Sequence, residues 1–207
     1  MFLSTNLIIN GYKKGIFPMA ESANDPYVYW VSPNKRGIIS LDEFNVPKSL
    51  KKFLKKNIYT IGINSKFKDV INSCAKSSSL RSETWINNQI IENYTELFFM
   101  GLASSIEIYQ KKDLVGGLYG VQLGSIFFGE SMFSTQPNAS KVALVYLAAL
   151  LKQSGFNLID TQFLTEHLKQ FGAKEIDKKN YIKILEKNLK LKKKFPDKLN
   201  KDLLSYF

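Results

Sequence analysis

The stretch Gly116–Ser134, GGLYGVQLGSIFFGESMFS, decides how the rest of the chain is read. Runs rich in Val, Ile, Phe and Tyr predict two strands, Leu114–Val121 and Ser125–Ser131, joined by a Gln122-Leu123-Gly124 turn in which Gly124 can take positive φ. A carboxylate, Glu130, follows directly on Ile126-Phe127-Phe128-Gly129. An acid delivered by an apolar strand must reach water, find a partner or do chemistry. Downstream, Phe156–Gln162 repeats the pattern: an apolar strand ends in Asp160, and Gln162 stands two residues on, on the same face if the strand stays extended. Two strands delivering acids predict one polar pocket.

Working outward, Ala103–Gln110 reads as a strand preceding this hairpin, so the three form an antiparallel meander. The helix Lys141–Ser154, with Asn138 or Ser140 as its cap, is apolar on all sides from Val142 to Leu151, and it belongs in the middle of a domain. Before the meander come a strand at Ile58–Ile63, a helix through Phe67, Val70, Ile71 and Cys74, a polar loop at Ala75–Ser82 and a helix at Asn87–Met100. After Asp160 come a helix Phe163–Phe171 and a lysine-rich helix from about Lys178. Residues 1–57 are richer in Pro, Gly, Asn and Ser. They read as a small loop-rich N-terminal domain with a helix Leu3–Lys14, an aromatic strand around Tyr27–Ser32 and a lysine-covered helix Val46–Lys56. Residues 58–207 form the larger domain. The class is α/β (α+β) with a mainly antiparallel mixed sheet, in the element order of the N-acetyltransferase-like fold. In acetyl-coenzyme A enzymes of that fold a Gly-rich turn opens the central helix; Phe133–Lys141 has no glycine, which argues against coenzyme A.

The 207 residues are 44% hydrophobic, enough for a core. Lys+Arg 29 against Asp+Glu 18 gives +11, favouring an anionic partner. Lys48, Lys51, Lys52, Lys55 and Lys56, with no acid among them, are the candidate phosphate-binding surface. Cys74 is the only cysteine and His167 the only histidine, so neither a disulfide framework nor a Cys/His metal site is available. The ten-residue apolar run Val142–Leu151 is well short of the ~20 residues that cross a bilayer. The N-terminus lacks the charged n-region and cleavage site of a secretory signal, and a cytoplasmic protein is expected.

Gly15–Met19 (GIFPM), Trp30–Pro33 with Arg36, Thr84-Trp85-Ile86, Leu114–Tyr119 (LVGGLY), Phe128–Ser134 (FGESMFS), Asn138–Lys141 (NASK) and Leu158–Gln162 (LIDTQ) together resemble the leucyl/phenylalanyl-tRNA–protein transferases. The motifs keep the family's order over nearly the whole chain. Two departures stand out: the family's glycine-rich piece before the first helix is not in this sequence, and Leu97-Phe98 and Gly101–Tyr109 lack two histidines usual in the family. The resemblance implies a cytoplasmic enzyme, without metal or organic cofactor, that moves Leu or Phe, sometimes Met, from aminoacyl-tRNA to the N-terminal Arg or Lys of a protein and so marks it for N-end-rule degradation. A monomer is expected.

The implied chemistry needs little help. An aminoacyl ester is already activated, and an N-terminal amine has a pKa of about 7.7–8.0. Asp160, directly or through Gln162, is expected to draw the amine's proton, with assistance by the tRNA's own hydroxyl as the competing route, and Glu130 to pair with the acceptor's cation or orient Gln162. Leu118, Phe127, Met132, Leu144, Leu147 and Leu151 are, by position in the motifs, the pocket for the Leu or Phe side chain. Trp30 and Trp85 are assigned to substrate binding. A small-molecule N-acyltransferase and an RNA-binding module with a vestigial pocket are the alternatives.

Overall fold

The computed structural model describes residues 2–76 and 83–207; beyond Lys76, the polar loop read at Ala75–Ser82 lies outside the described residues. In chain order the elements are α1 (Thr5–Lys13), β1 (Phe17–Met19), β2 (Tyr29–Val31), β3 (Lys35–Ser40), α2 (Lys48–Leu54), β4 (Thr60–Ile63), α3 (Phe67–Ala75), α4 (Asn88–Phe99), β5 (Ala103–Gln110), β6 (Asp113–Leu123), β7 (Ile126–Ser134), α5 (Ala139–Gln153), β8 (Leu158–Gln162), α6 (Glu166–Lys169), β9 (Lys174–Asp177) and α7 (Lys178–Leu189). Short 3-10 turns occupy Leu41–Glu43 and Leu203–Tyr206.

The meander forms as the alternation predicts, with β6 pairing β5 and β7 and Gly124 at φ +63 in the turn. Seven strands make one mixed sheet in the order β4-β5-β6-β7-β8-β3-β9, while β1 and β2 form a separate antiparallel pair. Within the seven, only β7 and β8 run parallel. β3 departs from the sequence reading: Lys35-Arg36-Gly37 looks like loop, yet Ile38 and Ile39 are buried and the strand is bonded on one edge to β8 and on the other to β9. Part of the loop-rich segment 1–57 is thus built into the main sheet.

One face of the sheet carries α5, itself covered by α2, the Leu41–Glu43 turn and the C-terminal residues around Leu203. The other carries α1, α3, α4 and α7. Covering on both sides is why Val142–Leu151, except Tyr146, is buried throughout. α5 approaches β6 closely because position 116 is glycine: a Cβ there would stand 2.5 Å from that of Ala139. The helix starts at Ala139. Asn138, expected to cap it, is left-handed and makes no side-chain cap bond; Ser134 Oγ instead accepts from the Ser140 N–H at 3.3 Å. The helix expected over Phe163–Phe171 is only the single turn α6, since the backbone leaves β8 through a left-handed Gln162 and the helix begins after its Thr165 cap. Among the described residues no helix is long and apolar enough to cross a membrane.

Candidate active site

The parallel pair of strands comes apart. β7 and β8 are in register only for Ile126–Phe128 against Leu158–Asp160, after which β7 continues with β6 and β8 with β3. Glu130 lies two residues beyond the last pair on β7, and Gln162 two beyond it on β8. The opening between them is bridged by Gln162 Nε2, which donates to Glu130 Oε1 at 2.9 Å. From this seam opens a cavity of about 820 Å3.

Glu130 is buried among tyrosines. Tyr12 Oη of α1 donates to Oε1 at 2.5 Å, Tyr94 Oη of α4 approaches Oε2 at 3.1 Å, and the two phenols lie 2.6 Å from each other. Each phenol donates to one oxygen of the carboxyl group, and either can also share its proton with the other phenol. Burial, aided by the charge of Asp160, outweighs the phenol bonds and the Arg36 charge and pushes Glu130 up to about 7. Burial and the neighbouring Glu130 also raise both phenols, which keep their protons.

Asp160 occupies a different environment. Arg36 of β3 grips it with two parallel bonds, Nε to Oδ1 at 2.8 Å and Nη2 to Oδ2 at 2.9 Å. Tyr181 Oη of α7 donates to Oδ2 at 2.5 Å, and the Gln162 N–H donates to Oδ1 at 2.9 Å. Arg36 and Asp160 are 1% and 0% exposed. The guanidinium also donates to the Gly15 carbonyl at 3.2 Å and lies over the rings of Phe17 and Tyr181. Asp160 and Gln162 do not share a face as the strand reading expected. Gln162 sits at φ +62, and this departure from extended backbone sends its amide into the cavity while Asp160 stays behind the strand.

Glu130, Gln162, Trp85, Leu118, Phe127, Met132, Leu144 and Leu147 line the cavity, with Ile159, Leu168 and Phe163 among the further apolar walls. Asp160, Trp30 and Leu151 do not: Asp160 is sealed by Arg36, the Trp30 ring lies against Gly11 of α1, and Leu151 is fully buried in the core. The five lysines are on and just after α2, with Lys48, Lys52, Lys55 and Lys56 exposed, and none lines this cavity. His167 does line it. Its Nε2 is buried without a hydrogen-bond partner among the described residues, and burial together with Lys141 lowers its pKa. The other deeply buried carboxylate, Glu107, is held by Ser105 Oγ at 2.5 Å and Ser65 Oγ at 2.9 Å, away from the cavity.

The family model described as leucyl/phenylalanyl-tRNA protein transferase matches residues 38–186, and the model of that family's N-terminal domain matches residues 1–34. The chain belongs to the leucyl/phenylalanyl-tRNA protein transferase family. Curated relatives of that name come from Paramagnetospirillum magneticum, 51% identical over 179 residues that cover 86% of each chain, and from Maricaulis maris, 51% identical over 174 residues, 84% of this chain and 81% of the other. A third, from Rhodopseudomonas palustris, is 48% identical over 184 residues, 89% of this chain and 80% of its own. Among solved structures, that of L-PGS from Bacillus licheniformis aligns at a TM-score of 0.41 and 12% identity, over 74% of this chain and 51% of that one, a likeness too slight to carry an argument.

Tyr12 and Tyr94 hold Glu130, Arg36 and Tyr181 hold Asp160, and sequence reasoning gave none of the four a role. Tyr94 lay on the apolar stripe of its helix and read as core. Arg36 carried one signal, as one of only two arginines in a chain whose other cations are lysines. At the two places where family histidines are absent, Phe98 stacks on Phe67 and Ser104 is buried in β5, and neither reaches the cavity.

Proposed function

We infer that the chain is an aminoacyltransferase, which moves Leu or Phe, and in some settings Met, from aminoacyl-tRNA to the N-terminal Arg or Lys of acceptor proteins. The observation that carries the reading is the Gln162–Glu130 bridge at the polar end of an apolar cavity: a slot for an aliphatic or aromatic side chain beside an acid poised near the pKa of an N-terminal amine.

In this reading the donor's side chain lies against Leu118, Phe127, Met132, Leu144 and Leu147, and its ester reaches the seam. The amine nitrogen attacks the ester carbonyl carbon. A C–N bond forms, the C–O bond to the ribose breaks, and the amine's proton must leave as the ribose oxygen gains one. Glu130 takes the amine's proton, because it lines the cavity and a cationic acceptor beside it favours its ionised form. Gln162 holds Glu130 and offers its amide to the reacting groups. Asp160, with four donors already on its two oxygens, holds the turn that presents Gln162. No covalent enzyme intermediate or cofactor is needed.

The larger unit is read as N-acetyltransferase-like, on the ground that a parallel pair splays open beside a central helix. The division between the units is proposed to fall ahead of β3, where the two family models meet, rather than at residue 57. A monomer is proposed. Use of tRNA places the protein in the cytoplasm, and its product enters N-end-rule degradation. The test is transfer of labelled leucine from Leu-tRNA to otherwise identical proteins beginning with Arg, Lys or Met. Labelling of the first two alone is expected. Intact tRNA binding without transfer would leave an RNA-binding module, and labelling from an acyl-coenzyme A donor would mean a small-molecule acyltransferase.

A further inference from the structure

A second cavity, of about 530 Å3, lies on the far side of α5. At about 100° per residue, Ser140, Leu144 and Leu147, which line the active-site cavity, share one face of α5, while Val142 and Tyr146, which line the second, share the opposite face. The two cavities are thus separated by about one helix diameter, ~10–12 Å.

The walls of the second cavity include three half-buried aromatic rings, Phe53, Tyr59 and Tyr146, the first two with centroids 5.8 Å apart. Tyr59 Oη donates to the Pro137 carbonyl at 2.8 Å, which ties this wall to the turn leading into α5 and hence to the mouth of the first cavity. Exposed Lys55 and Lys201 border the space, and Lys51, Lys52 and Lys56 continue the positive surface along α2. From Lys48 to Ile58 there is no acid. The acidic wall residue, Asp202, accepts the Leu204 N–H at 3.0 Å. Aromatic faces with lysines beside them are how proteins hold single-stranded nucleic acid, the rings stacking on bases and the cations meeting phosphates; a carboxylate oxygen among them suits the exocyclic amino group of a base.

Resting on the transferase reading above, we propose that this cavity seats an unpaired base of the tRNA's single-stranded 3′ end, upstream of the nucleotide that carries the amino acid. With the ester at the seam, the strand rounds the start of α5, drops one base among Phe53, Tyr59 and Tyr146, and continues onto the lysines of α2. The partition of α5 makes it a ruler between the reacting ester and that base.

The test uses the full chain and tRNA(Leu) carrying 2-aminopurine at each unpaired 3′ position in turn. One position is expected to be quenched on binding, and Tyr146→Leu to remove the quench and weaken binding about 5- to 150-fold, the range for loss of one stacked base. The same substitution should have no effect on tRNA whose unpaired 3′ end has been removed. Lys201→Glu, at an exposed position that does not threaten folding, should weaken binding of complete tRNA more than of shortened tRNA. Equal losses on both tRNAs, or no quench at any position, would overturn the proposal, as would a raised KM for the acceptor protein in Lys201→Glu with tRNA affinity unchanged. Leucine transfer by the wild type, measured alongside, separates failure of this subsite from failure of the transferase reading.

Discussion

Replacing Glu130 with Gln removes a charge that the folded state dislikes, so the variant should be less active and more stable. An ordinary glutamate titrates at 4.5, and burial raises Glu130 to about 7. The folded protein therefore holds the proton more tightly than the unfolded chain between those values. Stability conferred by the proton is fully present below about 4.5 and is lost as pH rises through about 7. At about 1.36 kcal/mol per pKa unit, the loss is roughly 3 kcal/mol. Glu130→Gln keeps the shape and does not titrate. Urea denaturation of both proteins from pH 4.5 to 8 reads the effect, since groups not coupled to Glu130 cancel in the difference. The variant should gain roughly 3 kcal/mol on the wild type across that range, a midpoint shift of about 1 M at an m of about 3 kcal/mol/M. Over the same range its transfer rate should be lower by the ~10²–10⁴ typical of a lost general base. A difference in stability that does not change with pH would mean that Glu130 ionises normally in the folded protein, and burial would then not be what raises it.

Asp160→Asn should lose stability first of all: it leaves the Arg36 charge buried and unpaired, a loss of about 3–5 kcal/mol by chemical denaturation, and adding Arg36→Leu should restore part of that loss. If Asp160→Asn is as stable as the wild type, the pair is not the clamp described. Met132→Ala, on the cavity wall, should reduce Leu transfer ~10–200-fold with folding intact; unchanged kcat/KM would assign Met132 to the core alone. Replacing Lys51, Lys52 and Lys55 with Ala should weaken tRNA binding and reduce the slope of log affinity against log salt by about 2–3, close to one per lost phosphate contact, while an unchanged slope would move the contact to another lysine surface.

The hairpin and α5 were legible because their signals are local: alternation and a Gly124 turn for the first, an unbroken apolar run for the second. What lay outside local pattern was missed. β3 is six residues with a charged start and a glycine, and it is a strand because β8 and β9 supply partners on both edges. The acids are legible, but the groups that hold them are not, since Arg36 lies 124 positions from Asp160 and Tyr12 lies 118 from Glu130. The expectation that Asp160 and Gln162 share a face failed at one dihedral angle, the positive φ of Gln162, for which the sequence LIDTQ has no glycine to give warning.

The insertion of β3 between β8 and β9 fixes an order of events during synthesis. The residues of β3 leave the ribosome early, and both neighbours follow more than a hundred positions later. At 5–20 residues per second, the 124 positions between Arg36 and Asp160 correspond to roughly 6–25 s in which Arg36 and Ile38-Ile39 have no partner strand. A nascent chain halted before β8 should present this edge-seeking segment to chaperones and proteases. The active-site seam can close only once β8 has been made, so a ribosome-bound fragment ending short of Gln162 should have neither the cavity nor any capacity for transfer.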